Sequence, residues 1–181
     1  MLTVACVCVP GGVYTDAHVA RLSNMVSAHL KQPHGLAVHY ESDKPGFWAK
    51  IDLFKPGRYK GRVLYLDLDV TIIGSLDDLA NYPHPFSAIS DYLNPLVINS
   101  SVMAWDAGTA DRVYTDFTPD AMKRLNGDQN WINEKVNAVR FPRRWCPSYK
   151  VHILPTGKVP ADARVIVFHG VPRPWEVPLV A

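Results

Sequence analysis

The spacing of apolar residues over the first seventy positions predicts alternating strands and helices. Continuous apolar runs bounded by turn residues are typical of buried strands, and apolar residues at helical spacing indicate helices. The predicted strands cover residues 4–9, 36–40 and 63–66. The predicted helices cover residues 16–30 and 47–54, and Thr15 or Asp16 is the N-cap of the first. This strand–helix–strand–helix–strand order predicts an α/β fold with a parallel sheet and helices on its faces.

The second half of the chain has a weaker pattern. It predicts strands over residues 87–90, 97–105 and 165–169 and helices over 107–117 and 127–136. Seven of the 15 prolines fall between Pro142 and Pro178. Because proline fixes its own φ and lacks an amide donor, we expect an extended proline-rich segment there, wrapped around the domain. Residues 1–181 contain no repeat or linker and are expected to form one domain.

Composition narrows the classes of partner and compartment. Lys and Arg number 19 and Asp and Glu 17, a net charge of +2 that gives no indication of nucleic-acid binding. No apolar run reaches the roughly 18 residues of a membrane span, and residues 1–9 lack the basic start of a signal peptide. Three cysteines argue against a disulfide framework, and Cys6 and Cys8 are expected in the core. We therefore expect a cytoplasmic protein with no transmembrane segment and no general nucleic-acid partner.

Two carboxylates follow the apolar run at residues 63–66. Asp67 and Asp69 stand two residues apart, so a strand directs both side chains to one side at its carboxyl end, where open α/β sheets place ligands. Carboxylates this close repel each other unless a cation lies between them. A hard divalent cation that also holds phosphate oxygens, Mg²⁺ or Mn²⁺, is the natural occupant. The alternative is that the two residues only open the following turn.

Further motifs stand in a definite order around this pair. They are Phe47-Trp-Ala-Lys50-Ile-Asp-Leu-Phe54, Val63-Leu-Tyr-Leu-Asp67-Leu-Asp69, Gly74-Ser-Leu-Asp-Asp-Leu79, Asn99-Ser-Ser-Val-Met103, Gly127-Asp128-Gln129-Asn-Trp131 and Phe168-His169-Gly170-Val-Pro-Arg173-Pro174-Trp175. This series resembles the small bacterial and phage glycosyltransferases related to glycosyltransferase family 8, over about residues 3–178. Each motif alone has low specificity, whereas six in the family's order are fairly specific.

The resemblance implies the GT-A fold, a Rossmann-like α/β/α sandwich whose central sheet is mostly parallel. It implies a metal-dependent hexosyltransferase that moves a hexose from a nucleotide-diphosphate sugar, expected to be a UDP-sugar, to an unidentified acceptor with retention of anomeric configuration. Asp67, Asp69 and His169 are then the ligands of Mn²⁺ or Mg²⁺, a Lewis acid for the departing diphosphate. His169 departs from the family pattern, because it stands one residue before Gly170 and not three.

The resemblance also assigns three residues to the nucleotide end of the donor. Lys50 corresponds to a basic residue that reaches the donor sugar or its phosphates, and Arg173 takes the place of a lysine near the diphosphate. A guanidinium suits phosphate oxygens because it binds them in a bidentate fork. Tyr14 lies where the nucleotide base is expected to stack. The alternatives are a solvated lysine, an arginine that only adds surface charge, and a buried structural tyrosine.

Four more residues are assigned to the donor sugar by the same resemblance. Asn99 and Ser100 resemble the segment that holds sugar hydroxyls, although Ser101 stands where the family commonly has glycine. Asp128 resembles a carboxylate that contacts those hydroxyls, and Gln129 resembles a residue beside the anomeric carbon. An ordinary turn and a helix cap are the structural alternatives. A front-face route to retention would depend on the metal and the orienting groups more than on an enzymatic nucleophile.

Two other functions compete for the same residues. The stretch Asp67-Leu-Asp69-Val-Thr71 also fits the first motif of haloacid-dehalogenase-like phosphatases, with Asp67 as nucleophile and Asp69 as general acid. That fold needs a later lysine and acidic metal pair, and the Asp77-Asp78 pair follows too soon. A non-catalytic nucleotide-sugar-binding relic is the second alternative, motivated by the small size and by Val167 and Ser101 at two family positions.

Overall fold

The computed structural model describes residues 1–178, so residues 179–181 of the predicted domain lie outside the described part. Within that part, eight strands form two sheets. The strands are β1 (Leu2–Val7), β2 (His34–His39), β3 (Arg62–Leu66), β4 (Val70–Ile72), β5 (Phe86–Ser90), β6 (Ile98–Asp106), β7 (Val139–Arg140) and β8 (Val165–Val167). Strands β1, β2 and β3 each begin and end within two residues of the predicted strands.

Helices and helical turns connect these strands. The α-helices are α1 (Asp16–His29), α2 (Asp77–Ala80), α3 (Arg112–Thr115), α4 (Pro119–Arg124) and α5 (Asp128–Lys135). The segment Gly46–Phe54, predicted as a short helix, is a 3₁₀-helix, and shorter turns cover Arg143–Trp145 (3₁₀) and Tyr149–Ile153 (π). No helix within residues 1–178 is long and apolar enough to cross a membrane.

The main sheet has six strands in the order β2-β1-β3-β6-β5-β7. The pairs β1/β2, β1/β3 and β5/β7 are parallel, whereas β6 is antiparallel to both β3 and β5. Three of the five pairings are thus parallel, which confirms the predicted α/β fold with a mostly parallel central sheet. Since β1 and β3 are adjacent and parallel, their carboxyl ends meet at one edge of the sheet.

The central sheet separates two apolar clusters. Side chains alternate across a strand, so Leu64 and Leu66 of β3 face one cluster while Val63 and Tyr65 face the other. The Leu64 cluster packs against α1 through Leu22 and its neighbours, and it includes the predicted core residues Cys6 and Cys8, both buried with free thiols. The other cluster packs against the 3₁₀-helix and α5 through Trp48, Ile51 and Trp131.

The predicted helix over residues 107–117 is wrong in extent. Only Arg112–Thr115 is α-helical, because Gly108 has a φ of +88° and starts a turn directly after β6. The unpredicted helix Pro119–Arg124 follows, with proline at its first turn, where the missing amide donor costs nothing.

The proline-rich segment returns to the domain through a two-stranded antiparallel sheet, β4 with β8. Gly74 permits this approach, because a Cβ at that position would lie 2.6 Å from the carbonyl oxygen of Ala163. A further bridge joins Ser148 to Val167. The expected wrap is therefore present with short regular elements inside it, and it carries residues 168–175 to the carboxyl end of the main sheet.

Candidate active site

A cavity of about 310 Å³ opens at the carboxyl ends of β1 and β3. Four of the predicted site residues line it, namely Tyr14, Lys50, Asp67 and Arg173, together with apolar residues after β1. Tyr14 comes from the loop before α1, Lys50 from the 3₁₀-helix, Asp67 from the end of β3 and Arg173 from the returning C-terminal segment. The fold thus brings distant parts of the chain to one cavity.

Asp67 is fixed at the end of β3 by three neighbours. The Tyr65 hydroxyl donates to Asp67 Oδ1 at 2.6 Å, and Lys50 Nζ lies 2.9 Å from the same oxygen. The backbone amide of Asp67 donates to the carbonyl oxygen of Ser101 on β6 at 2.9 Å. Ser101 therefore supports Asp67 through its backbone. Tyr65 was not among the predicted site residues, although its position two residues before Asp67 on the same strand face could have indicated the contact.

Lys50 is the centre of a buried polar network. Its Nζ lies 3.1 Å from Ser100 Oγ and 3.5 Å from Asp128 Oδ2, and the Ser100 hydroxyl donates to that same Asp128 oxygen at 2.6 Å. Burial lowers the pKa of Lys50, but the carboxylates of Asp128 and Asp67 outweigh burial and raise that pKa above its ordinary value. Lys50 is therefore a fixed, charged group, and the alternative of a solvated lysine does not hold.

Asp69 lies beside Asp67 and is paired with Arg173. Burial and the negative charge of Asp67 raise the pKa of Asp69 to about 6, while Tyr14, Arg173 and Lys50 act in the opposite direction. Arg173 forms an ion pair with the Asp69 carboxylate, and its Nη1 also donates to the Tyr14 hydroxyl at 3.0 Å. Asp67 directly follows β3 and Asp69 lies in the turn before β4, and each carboxylate contacts one cation of the chain.

His169 does not join this pair. Its Nε2 lies 2.8 Å from Ser148 Oγ, and its ring stacks on Tyr92 with 5.6 Å between centroids. Ser148 reaches this position because it bridges Val167, two residues before His169. Across residues 1–178 no three His, Cys, Asp or Glu side chains are grouped closely enough to hold a metal ion. The predicted three-ligand set of Asp67, Asp69 and His169 is therefore not assembled.

The two carboxylates nevertheless suit a metal that arrives with its substrate. Mg²⁺ and Mn²⁺ prefer oxygen ligands, and Mg²⁺ is commonly held by one or two carboxylates, substrate phosphates and water. Asp69 is buried and stands two residues from Asp67, so a further cation would offset the repulsion between the two negative charges. Asp67 and Asp69 therefore fit a shared metal–phosphate site better than a closed protein-only site.

The residues predicted for the donor sugar fall into two groups. Ser100 and Asp128 belong to the Lys50 network. Asn99 Oδ1 instead accepts from the amide of Ser101 at 2.9 Å, and Gln129 Nε2 donates to Asp91 Oδ2 at 3.3 Å. Asp91 was missed, although it directly follows β5 much as Asp67 follows β3.

The chain is similar in sequence to a fungal protein. Glycogenin from Neurospora crassa is 26% identical to the chain over 152 residues, which cover 80% of this chain and 22% of glycogenin. The chain thus spans about a fifth of the length of that relative. No protein-family model matches the chain.

Solved structures with the same architecture are glycosyltransferases. GlyE from Streptococcus pneumoniae aligns with a TM-score of 0.75 at 13% identity, over 97% of this chain and 57% of GlyE. The galactosyltransferase LgtC, in complex with donor and acceptor sugar analogues, aligns with a TM-score of 0.68 at 13% identity, over 96% and 89%. A glycosyltransferase involved in glycosylation of the major capsid of PBCV-1 gives 0.64 at 11%, over 94% and 93%. The chain therefore has the GT-A fold, and its similarity to glycogenin supports the resemblance to the family 8 glycosyltransferases.

Proposed function

We propose that the chain is a metal-dependent glycosyltransferase that moves a hexose from a nucleotide-diphosphate sugar, in the first place a UDP-sugar, to an acceptor with retention of configuration. The observation that carries the proposal is that Asp67, Lys50 and Arg173 line one cavity at the carboxyl edge of the sheet, with Asp69 paired to Arg173 beside it. This donor needs two kinds of charged group together: carboxylates that can hold a metal and cations that can pair with the diphosphate.

In this proposal Lys50 and Arg173 compensate the charge of the diphosphate. Negative charge grows on the phosphate oxygens as the sugar–phosphate bond breaks, and cations already in place stabilise it without reorganisation. Lys50 is held by Asp67, Ser100 and Asp128 and stays ionised. Mn²⁺ or Mg²⁺ held by Asp67 and Asp69 would add Lewis-acid stabilisation of the same charge when bound.

We propose that Asp128 and Ser100, which both contact Lys50, orient the donor sugar. Both carry oxygen acceptors, and Asp128 has a second carboxylate oxygen beyond the one bonded to Ser100. Gln129 and Asp91 form a separate pair, and we propose that Gln129 lies by the anomeric carbon. The acceptor hydroxyl would then attack from the leaving-group side, as retention without an enzymatic nucleophile requires.

A nucleotide-sugar-binding relic is the second candidate, because His169 is bonded to Ser148 and does not meet the carboxylates. The phosphatase alternative has less support, since the GT-A fold and the relationship to glycogenin both favour a transferase. Slow turnover separates an enzyme from a relic: only an enzyme should hydrolyse a nucleotide sugar in Mn²⁺ without acceptor.

The test is a thermal-shift screen of common nucleotide sugars with and without Mn²⁺, followed by a hydrolysis assay on the best donor. We expect at least one donor to raise the melting temperature only with Mn²⁺. Asp69→Asn should abolish both the shift and hydrolysis, because it replaces a proposed carboxylate ligand of the metal by a neutral amide. His169→Gln is the matched control and should retain the Mn²⁺-dependent shift.

Three results would contradict the proposal. If no donor raised the melting temperature in Mn²⁺, the proposed function would fail altogether. If donors bound in Mn²⁺ but none was hydrolysed by the wild-type protein, the relic would be the better description. A shift lost in His169→Gln but kept in Asp69→Asn would assign the metal to other residues.

A further inference from the structure

Arg173 occupies a position between the metal-site carboxylate Asp69 and the cavity. Its guanidinium contacts the Asp69 carboxylate and the Tyr14 hydroxyl, and it lies 5.7 Å from the Tyr14 ring centroid. The Asp69 side chain is only 5% exposed and the Arg173 side chain 22%. The guanidinium therefore covers the carboxylate that the proposed function assigns to a metal.

The segment that carries Arg173 is held by contacts of Arg173 itself and of the residues that follow it. We call residues 170–176 the strap. Within it the amide of Arg173 donates to the Glu176 carboxylate at 2.7 Å, and the amide of Glu176 donates to the Arg173 carbonyl at 3.0 Å. The Trp175 ring packs against His18 of α1 with 4.3 Å between centroids. The position of Arg173 is thus held by local structure as well as by the ion pair.

No other cation within residues 1–178 forms a salt bridge with the Asp69 carboxylate. Lys50 is engaged by Asp67, Ser100 and Asp128, and Arg21 donates to the carbonyl of Val70 and to Thr71 Oγ1. Asp69 is buried next to Asp67, so it gains more from a contacting cation than an exposed carboxylate would. Arg173 supplies that cation.

We propose that Arg173 is the internal counter-cation of Asp69 and makes metal binding depend on the donor diphosphate. The inference rests on the proposed function. Guanidinium and metal compete for one carboxylate, so a free divalent ion must displace Arg173 and leave it without an anionic partner. A diphosphate offers Arg173 a bidentate partner of greater charge, which frees Asp69 for the metal. Metal and nucleotide then bind cooperatively, and the coupling is reciprocal.

The test measures Mn²⁺ affinity by electron paramagnetic resonance, without nucleotide and with saturating UDP, in wild type, Arg173→Gln and Arg144→Gln. Arg144 is the matched control, because it is 71% exposed and pairs with Asp162 on the surface. Without UDP, Arg173→Gln should bind Mn²⁺ about tenfold more tightly than wild type, within the usual range of coupling factors. Arg144→Gln should stay within about twofold, as expected for a surface ion pair.

The gain in Mn²⁺ affinity caused by UDP is the second readout, and it should be smaller in Arg173→Gln than in wild type. Unchanged or weaker Mn²⁺ binding in Arg173→Gln without UDP would overturn the inference. Equal tightening with and without UDP would also overturn it, since that result reports only the loss of a repelling charge. Wild-type protein that binds no Mn²⁺ even with UDP would instead refute the metal dependence in the proposed function. Melting curves of each apo variant establish that it is folded.

Discussion

Lys50 shows how a single side chain links the stability of this fold to its site. Its ammonium is buried and contacts two carboxylates and a hydroxyl from three other segments of the chain. Removing one partner of such a network leaves uncompensated buried charge, which costs more than the net worth of the intact pair. The residue that we assign to the donor phosphates therefore also holds Asp67 and Asp128 in place.

Lys50→Met should lower the free energy of unfolding by about 3 to 5 kcal/mol, because Asp67 and Asp128 lose their shared cation. Lys123→Met is the control, since Lys123 pairs with Asp120 in solvent and both side chains are mostly exposed. That exposed pair should be worth less than about 1 kcal/mol. Urea unfolding of both variants measures the difference. Equal losses in the two variants would show that the Lys50 network contributes no more than a surface pair.

At the scale of elements, the strap depends on the sheet formed by β4 and β8. This sheet begins one residue after Asp69 and ends two residues before His169, so its register decides what the C-terminal segment presents to the cavity. The close approach at Gly74 fixes where that segment leaves the domain, because there is no room for a side chain between Gly74 and Ala163.

Gly74→Ala should destabilise the protein by about 1 to 3 kcal/mol, the usual cost of forcing extra volume into a packed contact. Gly35→Ala is the matched control, because a Cβ at Gly35 would meet nothing within 4 Å. We expect that control to be neutral or slightly stabilising. Thermal unfolding compares the two variants. A Gly74→Ala protein as stable as Gly35→Ala would mean that the approach of the C-terminal segment is not tightly constrained.

At the scale of the whole molecule, one sheet supports two apolar clusters. Strand β3 contributes alternate side chains to both, so neither cluster can lose its packing without removing support from the other. The two faces of the sheet also carry different spectroscopic probes. Trp48, Trp105 and Trp131 lie in one cluster, whereas the longest helix, α1, packs on the other face.

We predict one cooperative unfolding transition, which also tests the expectation of a single domain. Tryptophan fluorescence reports mainly the cluster of Trp48, Trp105 and Trp131, and far-ultraviolet circular dichroism reports α1 strongly, so their denaturant midpoints should coincide. Saturating nucleotide sugar with Mn²⁺ should shift both curves together by mass action. Separate midpoints for the two probes would show that the two faces of the sheet unfold independently.

The sequence by itself determined the features that depend on local periodicity. Apolar alternation and helical spacing located most strands and helices over the first seventy positions. The sequence also indicated the two carboxylates directly after the third strand, although Asp69 lies in the turn that follows it and not on the strand. The helix over residues 107–117 was mispredicted because apolar spacing continued through a turn that Gly108 imposes.

Only the tertiary structure decided which partner each charged or polar site residue takes. Lys50 lies between Asp67 and Asp128, Arg173 pairs with Asp69, and His169 bonds to Ser148, all through contacts between segments far apart in the chain. A side chain at the end of a strand has several partners within reach, and the approach of other segments selects among them. The sequence therefore indicated the two carboxylates and the basic residues Lys50 and Arg173. The packing of the strap and of β6 determined how these charged side chains are paired.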